Sequence, residues 1–105
     1  MAALDPRTDM AGLVAANREF HFAPMEAAGL PRLLRHVRML WEASEAYRTL
    51  YYSQAANVLL VHEEHDAILD ALSRRDVDEV VVRVRQHRDA MVARLRALLT
   101  DGEAR

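Results

Sequence analysis

His21, His65 and His87 stand at positions that the helical repeat normally gives to aliphatic side chains. Leu13, Asn17, Phe20 and His21 recur at spacings of three and four, and so do Val58, Val61, His65, Ile68 and Leu72. The last such line is Val77, Val80, Val81, Val84, His87, Met91, Leu95 and Leu98. Residues at these spacings share one face of an α-helix, the face that turns toward a core. An imidazole on that face is either a hydrogen-bonded core residue or a ligand. Antiparallel packing brings the middles of such helices to similar height, and imidazole nitrogen is a borderline donor that first-row divalent ions accept. Asn17, one turn before His21, adds an amide oxygen from the same face. The expected metal site is Asn17, His21, His65 and His87, holding a divalent Zn, Ni or Mn, among which nitrogen and oxygen donors do not choose.

Other chemistry is weaker. His36, beside Arg35, lies one step off the Leu33, Val37 and Leu40 line, so it is expected at the surface. "HEEH", residues 62 to 65, is not a zincin signature, because that motif needs histidines four apart and these are three apart. Glu63, Glu64 and Asp66 are expected off the inner line, which argues against a carboxylate-bridged di-metal site and leaves no placed general base. The three glycines, at 12, 29 and 102, form no phosphate loop, and no serine sits in a nucleophile elbow. Trp41, Tyr47 and Tyr51 form an aromatic row that is either core or the wall of a ligand pocket; Tyr47, Arg48 and Tyr51 are the candidates for an effector pocket.

The elements that must position these residues read as helices throughout. Residues 1–7 are expected to be an N-terminal arm, Thr8 or Asp9 to cap a first helix, and Gly29 to end it. Pro31 suits the first turn of a second helix running to about Tyr52. A joint over 53–57 precedes a third helix. Asp76 followed by Glu79 resembles a capping box opening a fourth, which Asp101 and Gly102 close. Short loops favour antiparallel neighbours, so the expected fold is an all-α antiparallel bundle of about four helices over residues 8–101.

Composition narrows the function. A chain of 105 residues fits one domain with a modest core. With 51% hydrophobic and 29% charged residues it has the balance of a folded globule, and without cysteine it has neither disulfides nor thiolate ligands. No apolar run approaches the ~20 residues of a membrane span. No secretory signal opens the chain, and a cytoplasmic location is expected. A net charge of -2 supplies no field for phosphate backbone, so no direct nucleic-acid contact by this chain alone is expected.

"NREFH" followed by "AAGLPRLL", then "EEHDAILDALSRRDVDEV", then "HRDAMVARL" resembles the FCD domain, the helical effector-binding domain of FadR-subfamily GntR transcriptional regulators, over about residues 9 to 100. The resemblance implies a divalent metal at Asn17, His21, His65 and His87, a small organic acid bound at or near it, and a signal passed to a winged helix-turn-helix. Asn17 stands where an Asp is common in the family, which removes a negative charge from the implied site. Leu30 stands where an Asn is usual, which removes a helix cap. The resemblance covers the later part of such a domain, without its first helices and without the winged helix-turn-helix. Uncovered apolar surface is then expected to be closed by a second copy as a homodimer, with exchange of helices as one route. Three readings stay open: a metal-containing effector-binding module without catalysis, a small metalloenzyme activating water at an open metal position, and a metal-free helical dimerisation remnant.

Overall fold

Gly29, Ser44, the pair Ser53 and Gln54, and the turn at Arg74 to Asp76 punctuate a chain that is otherwise helical. The computed structural model describes residues 10–103, and the arm expected at 1–7 and the cap expected at Thr8 or Asp9 lie outside them. The fold is all-α, with five helices and no strand among the described residues: α1 (Met10–Ala27), α2 (Pro31–Ala43), α3 (Glu45–Tyr52), α4 (Ala55–Ser73) and α5 (Val77–Glu103). Two compact units divide between Gln54 and Ala55, so that α1, α2 and α3 belong to one and α4 and α5 to the other.

In the first unit α1 ends as Gly29 enters the left-handed region at φ 71, a conformation that costs glycine nothing and closes the last turn. Pro31 then begins α2, and Leu30 at its N-cap makes no side-chain capping bond, as expected of a leucine where a helix start favours a short polar residue. α1 packs on both α2 and α3.

The single helix expected from Pro31 to Tyr52 is broken at Ser44 into α2 and α3. Ser44 leaves helical geometry at φ -104 and ψ 8, and its hydroxyl lies within hydrogen-bond distance of the carbonyls of Leu40 (3.0 Å) and Trp41 (3.1 Å). A side-chain oxygen that competes for the carbonyls one turn back offers the backbone an alternative to continuing the helix. The apolar line of α2 also stays largely at the surface: Leu33 is 58% and Leu40 65% exposed.

The second unit is a helical hairpin. α4 ends in a Schellman motif, with Arg75 N–H donating to Leu72 C=O and Asp76 N–H to Ala71 C=O. Arg75 takes the left-handed position, φ 55, that glycine usually fills. Asp76 then caps α5, its Oδ1 accepting the Glu79 N–H at 3.1 Å. The reciprocal half of the capping box does not form, because Asp76 N–H is already used by Ala71 and the Glu79 carboxylate pairs with Arg83 one turn on. α5 continues through Gly102 to Glu103, past the expected end at Asp101 and Gly102. Val58, Val61, Ile68 and Ala71 form the buried face of α4, whereas Val77 and Val84 on the expected line of α5 are exposed.

Candidate metal centre

α4 carries His65 between Val61 and Ile68 on its buried face, and α5 carries His87 on the face that meets α4. Both imidazoles are almost fully enclosed, at 3% and 4% exposure. Their Nε2 atoms face each other at 3.3 Å, with the rings edge to face at 74° and centroids 4.8 Å apart. Two imidazole nitrogens bound to one tetrahedral ion at about 2.0–2.1 Å would themselves lie about 3.3 Å apart, so the pair fits a shared cation as well as a hydrogen bond.

Behind His87 stands a carboxylate that the apolar line does not reveal. Glu64 Oε1 accepts from His87 Nδ1 at 2.8 Å, and Glu64 Oε2 accepts from Arg94 Nη2 at 2.8 Å, so each oxygen has its own cationic or polar donor. Burial alone would raise the Glu64 carboxyl, but the hydrogen bonds and charges of Arg94 and His87 outweigh it and hold the group below the ordinary carboxylate value. The expectation that Glu64 faces away is therefore corrected, while its neighbours Glu63 and Asp66 are exposed as expected. Arg94 lies seven residues after His87, hence on the same face of α5, and that spacing was the available signal for it. His62, half-buried one turn before His65, has a buried Nε2 without a partner.

In the other unit, Asn17 is buried at 2% exposure, and His21, one turn on, is half-buried with its ring 5.5 Å from Trp41. Trp41 is packed in turn by Phe22, edge to face at 5.2 Å. Of the pocket candidates on α3, Tyr51 is fully buried, Arg48 nearly so, and Tyr47 half exposed. The Arg48 guanidinium sits 3.9 Å over the Trp41 ring and donates to Ser44 Oγ (2.9 Å) and to the Trp41 carbonyl. Burial lowers it from its ordinary value, with Glu45 and Tyr52 acting the other way, and it remains a cation. Tyr52, absent from the expected set, is fully buried with an unpartnered hydroxyl, and burial with the neighbouring Tyr51 pushes its pKa well up. Trp41 Nε1 and Arg48 Nε are likewise buried without partners.

A family model described as the FCD domain matches residues 1–90. The chain belongs to the FCD domain family. This FCD domain is thus of a regulatory, effector-binding class, and the family assignment accounts for the helical architecture as well as for the quoted motifs. No curated protein and no solved structure matches the chain. Among the described residues no helix is long and apolar enough to cross a membrane.

Proposed function

We propose that this FCD domain is the ligand-sensing and dimerisation domain of a GntR/FadR-type transcriptional regulator, holding a divalent metal at His21, His65 and His87 with Asn17 and taking a small organic acid at or near that metal. The observation that carries the reading is the enclosed His65 and His87 pair, whose nitrogens meet at 3.3 Å. Three imidazoles are a donor set suited to Zn, Ni or Mn. With Asn17 in place of an Asp, all four ligands are neutral, so the charge of a bound dication is left for an anionic effector to compensate. The metal would supply electrostatic attraction for a carboxylate; orientation would come from the protein, with Arg48, Tyr47 and Tyr51 as the pocket candidates.

Homodimerisation is proposed to cover the apolar side chains left at the surface, Leu33 and Leu40 on α2 and Val77 on α5 among them. The location proposed is the cytoplasm, with DNA contacted by a winged helix-turn-helix and not by this FCD domain alone. A sensor is favoured over a hydrolytic metalloenzyme because Glu64, the carboxylate beside the histidines, is engaged at both oxygens by His87 and Arg94 and held below the ordinary carboxylate value, which makes it a weak base toward water.

Metal analysis of protein purified without a polyhistidine tag tests the reading. The expected result is stoichiometric first-row metal in the wild type, none in His65→Ala, and a further rise in melting temperature when short mono-, di- or tricarboxylates are added to the metal-loaded protein. Absence of metal, with no stabilisation by added Zn, Ni or Mn, contradicts it. Asn17→Asp is expected to tighten metal binding and weaken the response to carboxylates.

A further inference from the structure

We propose that Glu64 is a positioning residue of this centre: clamped by Arg94, its carboxylate holds His87 in the tautomer whose bare Nε2 is presented to the metal. The inference rests on the metal reading above and deepens it. An ionised carboxylate only accepts hydrogen bonds, so the 2.8 Å contact between Glu64 Oε1 and His87 Nδ1 requires a proton on Nδ1. A neutral imidazole protonated there carries its lone pair on Nε2, the nitrogen that faces His65. Arg94 occupies the second carboxylate oxygen at 2.8 Å, which keeps Glu64 from turning away. Carboxylates placed in this way behind a ligating histidine fix its ring and raise its basicity.

The test uses the full chain. Nitrogen-15 NMR of the metal-free protein is expected to show His87 protonated at Nδ1. Zinc affinity is then measured by competition with a chromophoric chelator. Glu64→Gln keeps the shape but lets its amide either accept from or donate to Nδ1, so it no longer selects a tautomer. The expected loss is roughly 10- to 100-fold in zinc affinity, with no loss for the exposed neighbour Glu63→Gln. Wild-type affinity retained in Glu64→Gln, or a bare His87 Nδ1 in the wild type, overturns the role of Glu64 while leaving the metal site standing. A wild type that takes up no zinc overturns both. If Glu64→Gln fails to fold, the wild-type tautomer decides.

Discussion

In the α1 to α3 unit the buried Arg48 reaches back four and seven residues along its own chain, to Ser44 and the Trp41 carbonyl. In the α4 and α5 hairpin, His87 meets Glu64 and His65 across more than twenty residues. The first arrangement can form as soon as its own helices form, and its effect is structural: it fixes the joint at Ser44 and covers one face of Trp41. The second exists only once α4 has packed on α5, and it leaves two imidazole nitrogens turned toward each other, with the His87 ring backed by Glu64. A local network makes a corner, whereas a network built across helices can make a site.

The largest change expected to break this contrast is Arg48→Met, which keeps the stem and removes the charge-assisted hydrogen bonds and the contact with Trp41. A loss of about 2–3 kcal/mol in unfolding free energy, by denaturant titration, is expected. If the network is local, the extra amide exchange stays within α1, α2 and α3 while the His65 and His87 resonances keep their tautomer pattern. Spread of that exchange into the hairpin would show that the clamp is not local.

On the hairpin side the matching change is protonation of Glu64. Its carboxyl is held below the ordinary value in the folded protein. It therefore stabilises the fold above the unfolded pKa of about 4.3, and that contribution is lost as pH falls through the lower folded value. Acid unfolding curves of the wild type and Glu64→Gln should differ by about 1.5 kcal/mol near neutral pH and converge in acid, a magnitude typical of hydrogen bonds to a charged group. Parallel curves would mean that the carboxylate adds nothing to the packing of α4 on α5.

Helix ends give smaller effects that sharpen the comparison. Asp76→Ala removes the α5 cap and should lower stability by about 1 kcal/mol in thermal unfolding. Leu30→Asn restores a capping side chain at the start of α2 and should raise it by roughly 0.5 kcal/mol. The two changes fall in different units, so their effects should add.

What the residues reveal in advance follows the same division between local and long-range. Gly29, Pro31 and the pair Asp76 and Glu79 act through bonds within a turn or two, and the ends that they imply form where expected. The apolar lines of α1 and α4 likewise place Leu13, Asn17, Val61, His65 and Ile68 inside. The break at Ser44 is hidden because the line from Leu33 to Tyr51 runs through it, and only the hydroxyl bonds to Leu40 and Trp41, buttressed by Arg48, reveal it. Glu64 escapes the periodic reading for another reason. It sits beside the inner line and not on it, and a carboxylate at the flank of a helix interface can still turn in when an arginine and a histidine on the facing helix meet its two oxygens. That pairing lies in the register of the hairpin, which spacing along one helix does not contain.

Zinc titration of the wild type beside His21→Ala, His65→Ala and His87→Ala, followed by thermal unfolding, decides whether the histidines hold a metal. Zinc at a hundredfold excess over its dissociation constant is expected to stabilise the wild type by about 2.7 kcal/mol, and each substitution to abolish most of this gain. A wild type indifferent to zinc, or a gain that survives in His65→Ala, would contradict it.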